Sequence, residues 1–193
     1  MTQDEIVQAS TDPEFLGYLD QREKDVLESK KISGLYEVLD SLLILDLQEE
    51  RINKVYEAIL MVAFDSIEKK LKDDSKLTLE NDDIFYIRAF YEHSIEKWSR
   101  EDYKGAKELF FILSQIVEDE ILLNAINIKL LACNSKEDME IFYDEKVQHE
   151  QEEREEKYAY FLLDFKFDTK KYLMENQKIL ENIYEELKPL LGV

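Results

Sequence analysis

An all-α fold is what this sequence predicts, and three observations carry the prediction. The chain of 193 residues holds only 4 Gly and 2 Pro, the residues that most often interrupt helices. Its apolar residues recur every three or four positions, the spacing of one face of an α-helix, and alternate hardly anywhere as a strand would. The polar pentapeptide SREDY, starting at Ser99, nearly returns as SKEDM at Ser135, 36 residues later. Hydrophobic residues make up 45% of the chain, so a core is expected rather than disorder.

The first segment, 1–33, reads as a helical arm. Thr2 and Glu5 have the spacing of a capping box, in which a hydroxyl and a carboxylate each satisfy a free backbone N–H. Asp12 before Pro13 reads as an N-cap followed by proline in the first helical position. A helix from about Pro13 to Ser29 follows, with Phe15, Leu16, Leu19, Val26 and Leu27 on one side and KKISG at its end. The second segment, 34–80, carries apolar residues at helical spacing from Leu35 to Ala63, with DLQEER in the middle. It is either one long helix or a hairpin jointed there. KDDSKLTLENDD then reads as a connecting loop. It is not an EF-hand calcium loop, which needs alternating oxygen ligands, a central glycine and a closing glutamate. Counting from Asp73, those places hold Leu77 and Leu79, Thr78 and Ile84.

The third segment, 81–193, holds the recurrence. At an offset of 36, Asp83 meets Asp119, Ala89 meets Ala125, Ser99 meets Ser135 and Asp102 meets Asp138. Ser-x-x-Asp suits a helix start, because the hydroxyl can cap N–H groups and the acid favours the positive end of the helix. Ser99 and Ser135 are therefore expected to cap the second helix of each of two pairs. A third copy is expected from Ala159 and Thr169, each 34 residues after its counterpart, with YAYFLLDFKFD as its first helix. Two helices per unit at this period is the pattern of a helical-repeat array.

The stretch DYKGAKELF, with Tyr103, Ala106 and Phe110, resembles the second helix of the tetratricopeptide repeat family. Phe90 and Ser94 match the bulky and small places of its first helix. The second copy has Ile141 and Phe142 near the alanine place, and the third has Asp164 at the small one. The resemblance covers about residues 82–187. It implies a bundle or array with helix pairs in the C-terminal half, whose first helices line a concave groove. It puts Arg88, Tyr91, Ile95 and Trp98 in that groove, with Asn124, Asn127, Leu131 and Asn134 from the second copy. The third copy would add Tyr158, Phe161, Phe165 and Asp168. Asparagines there would bond a peptide main chain and the rings would hold its side chains.

With 45 acidic and 25 basic residues the net charge is −20. So acidic a surface repels nucleic-acid phosphates and anionic lipid, so direct nucleic-acid binding is not expected. It suits a basic partner. Residues 137–156 hold ten acids against Lys146 and Arg154, which makes Glu152, Glu153, Glu155 and Glu156 a candidate docking surface or else a solvated helix face. The only histidines, His93 and His149, lack the Glu-x-x-His spacing of a di-iron site, and with one cysteine, Cys133, they are too few for zinc. No catalytic residue, metal or cofactor is implied. The first ten residues have no apolar core of a signal peptide, and the longest apolar runs are too short to span a bilayer, so a cytoplasmic protein without membrane insertion is expected. The sequence thus predicts a non-enzymatic adaptor or chaperone that holds a segment of a protein client in a helical groove. Its rivals are an acidic inhibitor, immunity protein or DNA mimic, and an enzyme whose site the sequence does not display.

Overall fold

In the computed structural model the described residues are 2–148 and 154–192, with the side chains of 3–5 left aside. The described residues form ten α-helices and no strand. The fold is all-α, as the sequence predicts. The chain divides into two compact units, Met1–Ser66 and Ile67–Val193.

In the first unit, α1 (Gln3–Thr11) starts where the Ile6 N–H donates to the Thr2 carbonyl at 3.1 Å. The capping box itself rests on the Glu5 side chain, outside the described set. α2 (Pro13–Ser29) begins as expected. The Asp12 carboxylate accepts from the N–H groups of Glu14, at 2.9 Å, and Phe15, with Pro13 next to the cap. Its end is set by Lys30, in the left-handed region at φ 56°, whose N–H donates to Val26. Gly34 is therefore not the stop. It lies inside α3 (Ile32–Ile44), where a Cβ would come within 2.9 Å of the Val26 side chain. The glycine lets α3 approach α2 closely.

Residues 35–72 are two helices. After α3 the Leu47 N–H reaches back to Leu42 at 3.0 Å, with Asp46 at φ 50°, a Schellman-type end. α4 (Glu49–Lys72) follows. Arg51 in its first turn bonds Asp20 at 2.8 Å and Glu23 at 2.7 Å on α2.

The second unit carries the C-terminal array. The loop after α4 is tied down by Leu77, whose N–H donates to Ile116 at 2.7 Å and whose carbonyl accepts from Glu118 at 3.2 Å. Then come α5 (Asp83–Ser99), α6 (Tyr103–Ile116), α7 (Glu120–Asn134) and α8 (Met139–Lys146). α5 packs on α6, α6 on α7, and α8 on α5. α9 (Thr169–Glu175) and α10 (Gln177–Leu187) lie against α7.

The recurrent Ser-x-x-Asp has a different job from the one expected. Ser99 is the last residue of α5 and its hydroxyl donates back to Glu96 at 2.8 Å. Ser135 follows α7 and donates back to Leu131 at 3.0 Å. The caps are the aspartates. Asp102 accepts from the Gly105 N–H at 2.9 Å and Asp138 from Ile141 at 3.0 Å. A hydroxyl at the end of a helix has only carbonyls within reach, so each serine closes one helix and the carboxylate three residues on opens the next. A Cβ on Gly105 would lie 2.4 Å from the Asp102 carboxylate, so the glycine makes room for the cap. The ammonium of Lys97 and the Gly105 N–H hold the Asp102 carboxyl below its ordinary pKa.

The third first-helix does not form. Residues 159–168 are irregular, after a short 3-10 turn at Glu156–Tyr158. Thr169 does begin a helix, but Asp168 caps it, accepting from the Lys171 N–H at 2.9 Å.

Candidate functional site

The site begins with what α5 and α7 offer to residues 158–168. On α5, the phenol oxygen of Tyr91 accepts the Leu162 N–H at 3.1 Å, and its ring meets Phe161 edge-on at 5.3 Å between centroids. One turn earlier the Arg88 guanidinium lies over the Tyr160 ring at 4.2 Å and bonds Glu92 at 2.7 Å. On α7, Lys129 donates to the Leu162 carbonyl at 2.7 Å and, more weakly, to Ala125 at 3.4 Å. Its ammonium nitrogen lies 5.4 Å from the Tyr91 ring centre and 5.1 Å from that of Phe165. The amide N–H and carbonyl of Leu162 are thus both held by side chains, one from each helix.

The ends of the segment are fastened separately. The Tyr158 hydroxyl donates to the Asp119 carboxylate at 2.8 Å, and the same carboxylate caps α7 through Leu122 at 3.0 Å. Further on, Val147 and Phe165 make an isolated antiparallel bridge, with Gln148 N–H to Asp164 at 3.0 Å and Lys166 N–H to Lys146 at 2.9 Å. Arg154 pairs with Asp164. Tyr158, Phe161 and Leu163 are buried by this arrangement.

Lys129 is the unusual group. It is 1% exposed, and among the described residues no carboxylate pairs with it. Burial disfavours the charged amine and pulls its pKa down to about 7. Burial likewise pushes the Cys133 thiol, one turn along α7, up to about 12, and raises the Tyr91 hydroxyl well above its usual range.

These contacts correct the expectation of an open groove. Arg88 and Tyr91 do share a face with residues 158–168, but the face is covered: Tyr91 is 4% exposed. Tyr158 and Phe161 belong to what fills it, not to its wall. Trp98 is in neither. Its indole N–H donates to the Glu137 carbonyl at 2.7 Å, and its ring packs on Phe110 and Phe142, so it braces the turn before α8. Asn127 faces α10, where it accepts from the Tyr184 hydroxyl at 2.8 Å. Asn124 borders an open cleft of about 600 Å³ with Glu120, Arg154, Lys170 and Asp164 of the segment itself, a cleft that Arg88 and Tyr91 do not line. The two asparagines therefore do not form one surface with Arg88 and Tyr91. The reason is that α7 is buried nearly all round, every residue from Ala125 to Cys133 included, so spacing singles out no one face. Lys129 was missed for the same reason. Its signal in the sequence is a lysine in AINIKLLAC with no acid three or four residues away.

Of the acidic docking residues, Glu155 and Glu156 are exposed, Glu155 beside Lys157 at 3.2 Å. Glu152 and Glu153 lie outside the described residues, as does His149. His93 sits 3.1 Å from Glu96. Among the described residues no group of three or more His, Cys, Asp or Glu is placed to hold a metal ion, and no helix is long and apolar enough to cross a membrane. No family model, curated protein or solved structure matches the chain. The face of α5 and α7 thus holds the Leu162 main chain through side-chain hydrogen bonds and meets Tyr160, Phe161 and Phe165 through ring and cation contacts.

Proposed function

We propose that the protein is a non-enzymatic protein-binding module, an adaptor or chaperone, and that the face formed by α5 and α7 is its binding element. One observation carries this reading: that face already holds a piece of polypeptide, around Leu162, that is neither helix nor strand. It does so through Tyr91 and Lys129, which bond the main chain of Leu162 and so require no particular side chain there. Rings beside those bonds supply apolar contact, and aromatic contacts carry much of the energy of protein recognition. The surrounding charge of −20 favours clients with a basic character and speeds their approach at low salt.

The test is site-specific photocrosslinking in the native host. A photoreactive phenylalanine replaces Phe85 on α5, whose ring lies 6.4 Å from that of Tyr160 at the edge of the face, and in a control it replaces Tyr18 on α2. A discrete partner protein cross-linked from position 85 and not from position 18 is the expected result. Identical cross-linking patterns from both positions, or none from 85, contradict the reading.

A further inference from the structure

We propose that residues 158–168 are an internal pseudo-ligand, a strap that occupies the α5–α7 face and yields it to a client segment of the same chemistry. That client is a stretch, neither helix nor strand, with two aromatic residues four apart, as Phe161 and Phe165 are, on either side of a main-chain amide held by Tyr91 and Lys129. The inference rests on the protein-binding reading above and adds both the ligand class and its competitor.

The way the segment is held argues for exchange. Residues 162–164 belong to neither helix nor bridge. What fixes Leu162 is a pair of bonds to side chains of the face; the rest of the segment is held by two main-chain bonds beside Val147 and by side-chain bonds, Tyr158 to Asp119, Arg154 to Asp164 and Lys166 to the Asp144 carbonyl. A segment held this way can leave without breaking the hydrogen-bond ladder of any helix, so its departure is a local opening. The helices that form the face do not depend on it, since α5 packs on α6 and α6 on α7 directly.

Lys129 makes the closed state less stable than its apolar contacts alone would. With the strap in place its amine has one good carbonyl, one long bond and two ring faces, in a site from which water is excluded. With the strap gone the ammonium regains water and its full charge. Burying an amine without a carboxylate is costly, so the site favours opening more than a sealed core of the same size would. A client that offers a carbonyl in the place of Leu162 meets the same two groups the strap meets. The contacts that hold the strap are therefore a description of the ligand.

The experiment uses the full-length chain and a fluorescently labelled peptide copy of residues 157–168, with a scrambled peptide as control. In the variant Phe161→Ala the strap loses its ring against Tyr91, so the peptide is expected to bind at least tenfold more tightly than to the wild type. The scrambled peptide is expected not to bind, and Tyr91→Phe added to that variant is expected to weaken binding several-fold. If Phe161→Ala keeps its helical circular dichroism and gains no affinity, the strap is ordinary core and the inference fails. If Phe161→Ala does not fold, hydrogen exchange in the wild type decides. Exchange of the Leu162 amide much faster than the amides of α6 supports the strap, and exchange of both at one common rate overturns it. A client cross-linked at position 85 together with no gain for the peptide would leave protein binding standing and remove only the strap. Peptide exchange without any cross-linked client would show that the strap opens and would remove the client.

Discussion

Two stretches of the second unit are both rich in apolar and aromatic residues and have opposite structures. IFYIRAFYEHSIEKW lies in α5, while YAYFLLDFKF has no α-helix at all. The first satisfies its own main chain by i to i+4 bonds and spends its rings on a buried face. The second pairs locally only up to Phe161, and from Leu162 on it takes its partners from elsewhere: a phenol on α5, an amine on α7 and the main chain beside Val147. Buried backbone groups must be paired, but nothing requires the pairing to be local. Local pairing leaves a period in the sequence and borrowed pairing leaves none. The comparison teaches that the regular helices form the framework and the irregular stretch behaves as something bound to it.

That comparison can be broken by removing rings. Phe110, fully buried in α6 between Tyr91 and Trp98, belongs to the framework. Phe110→Ala is expected to cost about 3–5 kcal/mol in urea unfolding. Phe161→Ala, in the bound stretch, is expected to cost less than half of that, because the loss can be confined to a local opening. Equal costs for the two variants would erase the distinction.

The pH dependence sharpens it next. Lys129 has a folded pKa of about 7 against an ordinary 10.5, so between those values the unfolded chain binds more protons. Stability from this residue is therefore present at high pH and is lost as pH falls toward 7. The expected gain from pH 7 to 9 is about 2 kcal/mol. Above about pH 9 the raised pKa values of Cys133 and Tyr91 act the other way, because their unfolded forms ionise first. Urea unfolding across pH 6–10 should show a maximum near the upper part of that range, and Lys129→Met should flatten the rise below it. A rise that survives in Lys129→Met would assign it to other groups.

Caps give a smaller effect. Asp102→Ala and Asp138→Ala are each expected to cost about 0.5–2 kcal/mol. Ser99→Ala and Ser135→Ala, which close helices from the far end, are expected to stay within about 0.5 kcal/mol. Thermal unfolding of the four variants separates the two residues of the recurrent motif. The smallest expected effect is a gain. Lys136 sits at φ 53° after α7, a conformation glycine adopts without steric cost, so Lys136→Gly is expected to stabilise by about 0.5 kcal/mol. No change, or a loss, would show that the lysine side chain makes up for its backbone.

The helices were legible in the sequence where each carries its own start signal. Asp12 with Pro13 placed α2 to the residue, and the 36-residue recurrence located the turns before α6 and α8. The role of the serines was not legible, because a hydroxyl between two helices reads equally as the end of one or the start of the next. The candidate site was legible only in part. Arg88 and Tyr91 share one face of α5, but that face is covered by residues 158–168, and Asn124 and Asn127 do not share it. A helix buried all round, such as α7, carries no directional pattern. The irregular course of 159–168 was hidden because its determinants, Tyr91 and Lys129, lie 71 and 33 residues away from Leu162.

The central claim is that the Leu162 peptide unit is clamped between α5 and α7, with Lys129 as one jaw. Nitrogen-15 and carbon-13 NMR of the full-length protein reads this directly, by titrating the Lys129 amine and the Leu162 carbonyl together. The account predicts that both move with one midpoint near pH 7. A Lys129 amine that titrates in the ordinary lysine range near pH 10.5, with the Leu162 carbonyl unmoved, would contradict it.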